Sequence, residues 1–260
     1  MVFSPSPLRY NNNMKIISLN IAGRSNFGQD FDARMHRIAE FLDREQADIV
    51  CMQEVAFYTK ENLAERINRY MKHSYNSVVA HLSEKYSFDK FTGRFLEKWN
   101  AGLVEHEGDF ATDGMAILTN LPIANHEVMT MTPAPADDRG KPDVRIRASQ
   151  ILNFGDYSLA NVHFATNHNA YMQLQELINA HPTDIIVGDF NIHTHKLQEH
   201  RNIWASRYQE STDFMDYISF PDENATFDHM LLSAKYKFVS IEVVEGLSDH
   251  VAMIYNIENA

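Results

Sequence analysis

The run Thr183-Asp184-Ile185-Ile186-Val187 stops abruptly at Gly188-Asp189-Phe190-Asn191, and this stretch constrains the fold more than any other. A short, β-branched apolar run closed by glycine and polar residues reads as a buried strand. Such a strand delivers its polar side chains at a carboxyl end, where α/β proteins keep their chemistry. Asp189 and Asn191 are two residues apart, so extended geometry continuing past Gly188 projects both from one face. Taken alone, the tetrapeptide is equally a strand followed by an Asp/Asn turn.

The flanking chain supplies an α/β setting. Lys15 to Leu19 reads as a strand ending at Asn20, and Phe31, Met35, Ile38 and Leu42 recur at helical spacing across Asp30 to Arg44. Asp48 to Glu54 resumes a strand with an apolar centre and polar ends, as expected of a central strand. A right-handed parallel crossover then brings Asn20 and Glu54 to one sheet edge. Further along, a helix is expected around Leu63 to Met71 and strands at Tyr75 to Ala80, Gly114 to Leu118 and Ala124 to Thr132. Pro133 to Asp143 is rich in proline and reads as a loop. From Val144 to Ser149 apolar residues alternate with Arg145, Arg147 and Ser149, which marks a half-exposed strand. It pairs through a turn at Gly155-Asp156 with Tyr157 to Val162, placing His163 at the second strand's end. A helix over Asn169 to Ala180 and strands at Phe227 to Leu232, Tyr236 to Val244 and Val251 to Ile257 complete the pattern. Crossover first, hairpins in the middle and strands at the end fit two mixed sheets packed face to face with helices outside, an α/β (α+β) architecture.

No linker, repeat or low-complexity tract divides the 260 residues after Asn13, so residues 14–260 read as one domain behind a disordered leader, 1–13. The leader lacks the apolar core and cleavage site of a signal peptide, and no apolar run is long enough to span a membrane. Cys51 is the single cysteine, which leaves no disulfide framework and leans toward a cytoplasmic setting. A formal net charge of −12 argues against gripping nucleic acid by bulk electrostatics, while leaving room for a local basic cleft. Two stretches supply local basicity. Ser83 to Phe110 interleaves Lys85, Lys90, Arg94 and Lys98 with Tyr86, Phe88, Phe91, Phe95 and Trp99, and Arg139 to Arg147 is the other.

The polar residues closing apolar runs are Asn20, Glu54, His163, Asp189, Asn191, Asp228, Asp249 and His250. Each alone is explained by the turn-forming habits of its type. Together they offer oxygen ligands for a hard cation, two imidazoles for proton handling and two amides to orient a phosphoryl group. That is a kit for metal-assisted hydrolysis of a phosphoester.

Ser18-Leu19-Asn20, Gln53-Glu54, Gly114 to Ile123, Asn161-Val162-His163, Gly188 to Asn191, Phe227-Asp228-His229 and Ser248-Asp249-His250 together resemble the endonuclease/exonuclease/phosphatase superfamily. The resemblance runs from about Met14 to the C-terminus. It implies a deoxyribonuclease-I-like four-layer sandwich and a Mg2+- or Mn2+-dependent phosphoesterase. In that reading Glu54 is the principal metal ligand, with Asn20 beside it and Asp249 at a second metal. Asp189 activates or orients water, Asn191 and His163 bond the phosphoryl oxygens, and His250, held by Asp228, is a base or a stabiliser of the pentacovalent state.

Departures narrow the substrate. Gly188 to Asn191 is followed by Ile192-His193-Thr194-His195, without the arginine of inositol polyphosphate 5-phosphatases, and Asp228 is followed by His229 where those enzymes carry arginine. No tryptophan-rich signature of apurinic endonucleases precedes Asp228, and Thr226 stands where the family often has a basic residue. His193 and His195 alternate on a polar loop and read as exposed rather than as a zinc site. The leading expectation is a monomeric nuclease acting on nucleic acid or nucleotides, with Lys90, Arg94, Lys98 and Arg145 as substrate-binding candidates. A phosphatase or a sphingomyelinase- or phosphoinositide-type hydrolase is the alternative, and a binding module without catalysis is a third.

Overall fold

The computed structural model describes residues 13–23, 31–58, 61–81, 112–132, 147–166 and 168–260. The chain opens with β1 (Asn13–Asn20), α1 (Phe31–Glu45) and β2 (Ile49–Phe57), and the two strands pair in parallel with Asn20 opposite Gln53. α2 (Leu63–Tyr70), β3 (Ser77–His81) and β4 (Thr112–Thr119) follow. A second group comprises β5 (Asn125–Thr130), β6 (Ala148–Asn153), β7 (Ser158–His163), α3 (His168–Ala180) and β8 (Ile185–Asp189). Three short helices, α4 (Thr194–Glu199), α5 (Arg201–Trp204) and α6 (Ser211–Phe214), surround β9 (Tyr208–Glu210). β10 (Asp228–Ser233), β11 (Tyr236–Val244) and β12 (Ala252–Asn259) close the chain. The sheets are six-stranded and mixed, ordered β11-β12-β1-β2-β4-β3 and β5-β6-β7-β8-β10-β9.

Strand alternation builds the layers. In β1, Ile17 and Leu19 pack with Met35, Ile38 and Leu42 of α1, while Ile16 enters the space between the sheets. β2 divides likewise, with Val50 and Met52 toward the helices and Ile49 and Cys51 toward the second sheet. In that sheet Leu159, Ile185, Val187 and Met230 face inward, whereas Ala160, Ile186 and Leu231 pack outward with Leu174, Leu177 and Trp204. Three apolar layers therefore separate four structural ones, helix, sheet, sheet and helix. The α2 start is fixed by Asn62, whose side chain accepts the Glu65 N–H at 3.0 Å.

Two sequence expectations are corrected. The strand around Ser149 is not half-exposed: Arg147, Ser149, Gln150 and Leu152 are all buried. β6 lies between β5 and β7 with helices over one face and the first sheet against the other, where Gln150 Nε2 donates to the Val79 carbonyl at 2.7 Å. Asn13, assigned to the leader, belongs to β1, because β12 runs far enough to pair it with Glu258. The stretch Ser83 to Phe110 with Lys90, Arg94 and Lys98, and the loop Pro133 to Asp143 with the neighbouring Arg145, lie outside the described residues.

The interior between the sheets is apolar except at one end. There Gln53 Nε2 donates to Asn161 Oδ1 at 2.8 Å, and Asn161 Nδ2 donates to the carbonyls of Met52 at 3.1 Å and Ala116 at 3.2 Å. Gln53 Nε2 also lies 3.3 Å from Ser18 Oγ. Both amides are fully buried, so β7 is hydrogen-bonded to β2 and β4 across the sandwich in a single relative placement. Asn161→Ala removes the side-chain donor to the Met52 and Ala116 carbonyls and leaves the Gln53 amide only its contact with Ser18 Oγ. The expected cost is about 3 kcal/mol, at roughly 1–3 kcal/mol per unsatisfied buried group. Urea unfolding measures it, and a loss below about 1 kcal/mol with an unchanged m-value would show that water replaces the amide there.

Candidate active site

The polar end of the second sheet is set by strand register. Asp189 lies opposite His163 of parallel β7 and opposite Asp228 of antiparallel β10, so three polar strand ends stand side by side. All three share the inward parity of Leu159, Val187 and Met230. Gly188 precedes them with φ of +143°, and a Cβ there would sit 2.1 Å from the Val162 carbonyl oxygen. Only glycine permits that approach of β8 to β7.

Extended geometry ends at Asp189. Asn191 has φ of +52°, and its N–H donates to Asp189 Oδ1 at 2.8 Å while its Nδ2 donates to the Phe164 carbonyl at 2.9 Å. The two side chains are therefore related by an Asx-type turn and not by the strand alternation expected from their spacing. Asn20 Nδ2 reaches across from the first sheet to donate to Asp189 Oδ2 at 3.1 Å and to Glu54 Oε1 at 3.2 Å. Its Oδ1 is occupied by the Ala22 N–H at 3.0 Å, so the amide faces the carboxylates as a donor.

Glu54 arrives by a different device. By alternation it has the parity of Val50 and Met52, which face α1. The β2–β4 register shifts between Met52 and Val55, and Glu54 takes φ of +51°. Gln53 already faces inward with Ile49 and Cys51, toward Asn161, and the bulge turns Glu54 to the same cleft side, toward Asn20. The Ile21–Gly23 loop braces it: Ile21 N–H donates to the Gln53 carbonyl and Gly23 N–H to the Glu54 carbonyl. Buried Arg34 of α1 in turn holds that loop through the carbonyls of Ile21 at 3.1 Å and Ala22 at 3.2 Å.

Asp249 and His250 come from the segment entering β12. His250 Nδ1 lies 2.8 Å from Asp228 Oδ2 and its Nε2 lies 3.9 Å from Asp189 Oδ2. Burial lowers the His250 pKa, but Asp228, by charge and hydrogen bond, and then Asp189 and Asp249 outweigh it and raise it to about 10. Burial foremost lifts the Asp189 pKa to about 6, with His250 opposing and Asp228 adding to the rise. Asp249 is likewise raised, first by burial and further by the nearby Glu54 charge, against the pull of His250.

His163 is polarised by a residue that strand periodicity did not single out. Nη1 of buried Arg147 lies 3.0 Å from His163 Nδ1. A guanidinium only donates, so Nδ1 must accept and the ring hydrogen resides on Nε2. That nitrogen faces Asp189 Oδ2 at 3.6 Å and Glu54 Oε1 at 3.8 Å. Arg147, Arg34 and the bulge at Glu54 are the features the sequence pattern missed. An arginine two residues from another in an alternating run carries no signal of burial.

The rim is aromatic. The Phe220 ring lies 4.8 Å from His250 and 5.8 Å from Phe227, which lies 4.6 Å from His193. His193 and His195 are exposed, and their rings are 5.4 Å apart. Among the described residues no three or more His, Cys, Asp or Glu side chains gather closely enough to ligate one ion by themselves. The donor set nevertheless suits a hard, largely hydrated cation: Glu54 and Asp249 are partly exposed carboxylates close enough for the Glu54 charge to raise the Asp249 pKa. Mg2+ typically uses one or two carboxylates and keeps its remaining waters.

Thus Asn20, Glu54, His163, Asp189, Asn191, Asp228, Asp249 and His250 converge on one cleft, while Lys90, Arg94, Lys98 and Arg145 lie outside the described residues. The model of the Endonuclease/Exonuclease/phosphatase family matches residues 17–250. No curated protein sequence matches the chain. Among solved structures it is similar to an endonuclease/exonuclease/phosphatase from Beutenbergia cavernae, with TM-score 0.71 and 15% identity over 95% of this chain and 72% of that one. The human Nocturnin catalytic domain with bound sulfate anion matches with TM-score 0.65 and 16% identity over 95% of this chain and 94% of that one. D. rerio TDP2 complexed with single strand DNA product matches with TM-score 0.60 and 14% identity over 95% of this chain and 99% of that one.

The Arg147 contact makes a spectroscopic prediction. Long-range 1H–15N correlation is expected to find His163 Nδ1 bare and Nε2 protonated in the wild type, and Arg147→Met is expected to mix the tautomers. A wild-type ring carrying its single hydrogen on Nδ1 would contradict the assignment.

Proposed function

Because the chain belongs to the endonuclease/exonuclease/phosphatase family, whose members hydrolyse phosphoesters, we propose that it is a divalent-metal-dependent phosphodiesterase acting on nucleic acid or nucleotides. The observation that carries the chemistry is the convergence of Asn20, Asn191, His163 and His250 on Asp189. A buried carboxylate held by an amide on each side is positioned to orient a water for in-line attack and to take its proton.

Glu54 and Asp249 are the residues assigned to hold Mg2+ or Mn2+. When bound, such an ion neutralises phosphoryl charge and polarises the phosphorus. Asn20 is read as a positioning donor joining Glu54 to Asp189, because its oxygen is already engaged by Ala22. His163, with its hydrogen on Nε2, and His250, anchored through Nδ1 to Asp228, present donors to the phosphoryl oxygens where negative charge builds. Asn191 adds an amide at the cleft edge. Water attacks phosphorus, its proton passes to Asp189, and the bond to the leaving oxygen breaks, that oxygen being protonated from solvent.

The half-exposed rings of Phe220 and Phe227, continuing from His250 to His193, support a substrate with a planar base over a lipid or an inositol phosphate. Stacking on such rings contributes roughly 1–3 kcal/mol per base.

Initial rates on single- and double-stranded DNA, RNA, dinucleotides, phosphoinositides and sphingomyelin, with Mg2+ or Mn2+, test the reading. Turnover of a nucleic acid or nucleotide is expected, abolished by chelation. Preference for a phosphoinositide or sphingomyelin would replace it. Asp189→Asn and His250→Ala are each expected to cost about two to four powers of ten in kcat with little change in melting temperature. Near-normal rates in either variant would remove that residue from the mechanism. Phe220→Leu is expected to raise KM for the nucleotide substrate about tenfold while sparing kcat, and an unchanged KM would dismiss the stacking role.

A further inference from the structure

Beneath the cleft, on the helix side of the second sheet, lies a fully buried charged pair. His229 of β10 and Glu210 of β9 are each 0% exposed, with His229 Nδ1 2.9 Å from Glu210 Oε1. His229 Nε2 lies 2.9 Å from the Ile192 carbonyl oxygen, one residue beyond Asn191. A carbonyl can only accept, so Nε2 carries a hydrogen. A neutral ring would then turn a bare Nδ1 against the carboxylate, two lone pairs facing each other, so one proton must lie between Nδ1 and Oε1. Glu210 also receives the Thr212 N–H at 3.1 Å and the Thr212 hydroxyl, which favours the ionised carboxylate. The ring is accordingly an imidazolium donating at both ends. Burial opposes its charge, but the Glu210 hydrogen bond and charge prevail and raise its pKa, while Glu210 is lowered despite burial by His229 and Thr212.

The same carboxylate leads to the other half of the site. Ser211 Oγ lies 2.9 Å from Glu210 Oε1 and 2.7 Å from Tyr217 Oη, which lies 2.8 Å from the Asp228 carbonyl. Two hydroxyl hydrogens serve three contacts, so two of them are hydrogen bonds at a time and the third is a close oxygen–oxygen contact; the Met230 N–H donates to Ser211 Oγ at 3.0 Å. One branch from Glu210 therefore ends on the turn that carries Asn191, and the other on the strand end that carries the partner of His250.

We propose that Glu210 and His229 are positioning residues: a buried charge-assisted pair that holds the Asp189–Asn191 turn and the Asp228–His250 pair in one fixed relation. Neither touches the cleft, and their role rests on the phosphodiesterase reading of it. Removing two charges from water is costly, and a well-packed apolar pair often gives equal or greater stability. What the charged pair supplies, and an apolar one does not, is directional bonds to Ile192 and toward Asp228. Buried Phe190, between Asp189 and Asn191 in the chain, packs with its ring 5.4 Å from that of His229.

The test uses Glu210→Gln in the full chain, with Ser211→Ala as a milder variant that cuts the Asp228 branch and the Met230 N–H contact while leaving the His229–Ile192 branch in place. In the wild type at neutral pH, ring 1H–15N spectra are expected to show both His229 nitrogens protonated. Glu210→Gln is expected to shift the Asn191 amide and His250 ring resonances together and to lower kcat about ten- to hundredfold, the scale of small misplacement of reacting groups. KM should stay within about twofold. Ser211→Ala should move the His250 ring, leave the Asn191 amide in place and lower kcat less. Leu42→Ala, in the far apolar layer, serves as the control: an equal loss of melting temperature with unaltered kcat separates positioning from general destabilisation. A singly protonated His229, or a folded Glu210→Gln or Ser211→Ala variant with wild-type resonances at Asn191 and His250, overturns the proposal. Should the wild type hydrolyse none of the phosphoesters, the functional reading fails and the ring spectra alone decide this one.

Discussion

The hydrogen bonds that Gln53 and Asn161 make across the sandwich are the constraint on which the rest depends. Two sheets packed through apolar side chains can slide by a fraction of a residue at small cost, because dispersion contacts have no direction. Amides buried between them cannot, since a displaced amide leaves several polar groups without partners. Gln53 precedes Glu54, and Asn161 stands two residues before His163. Fixing the first pair relative to each other fixes the second, and His163 Nε2 comes to lie 3.8 Å from Glu54 Oε1. The cleft is thus a consequence of how one polar layer locks two sheets.

Charge is graded through that cleft. Glu54 and Asp249 are the partly exposed carboxylates, whereas Asp189 and Asp228 are buried and each is matched by an imidazole. Buried carboxylates without lysine or arginine beside them cost least when hydrogen-bonded amides and imidazoles share the charge. The arginines that do approach, Arg34 and Arg147, act one step removed: Arg34 holds the loop under Glu54, and Arg147 fixes which nitrogen of His163 carries hydrogen. This division leaves Glu54 and Asp249 as carboxylates at the open side of the cleft, with the described arginines set behind them. Among the described residues it leaves the imidazoles of His163 and His250, not a guanidinium, beside the Asp189 carboxylate.

Three of the five described non-glycine residues with positive φ lie at or beside the cleft. Ala22, Glu54 and Asn191 all adopt positive φ, a region that side-chain-bearing residues rarely occupy. Each is tied to a neighbouring segment, Ala22 by Arg34, Glu54 by the Gly23 N–H and Asn191 through its Nδ2 to the Phe164 carbonyl, so structure around the cleft offsets the cost. Such positions aim side chains in directions that regular strands do not offer.

How much of this was legible in the amino-acid sequence follows from the range of each signal. The strands at Lys15 to Leu19, Asp48 to Glu54 and Thr183 to Asp189, the helix expected over Asp30 to Arg44 and found at Phe31–Glu45, and the polar ends of the strands were readable because period and punctuation are local. The layered α/β sandwich followed from their order, and the separate motifs ending at His250 were enough to point to the family. What the sequence by itself determined is therefore the elements, their order and the residue types delivered to strand ends. Tertiary structure decided the rest. The bulge at Glu54 breaks the period that sequence reading relies on, and burial of Arg147 depends on β6 lying inside its sheet. The Glu210–His229 pair joins β9 and β10, whose contact no spacing encodes. Hydrogen bonds and buried charge depend on distances of a few ångströms between residues far apart in the chain, and only the packed sheets set those distances.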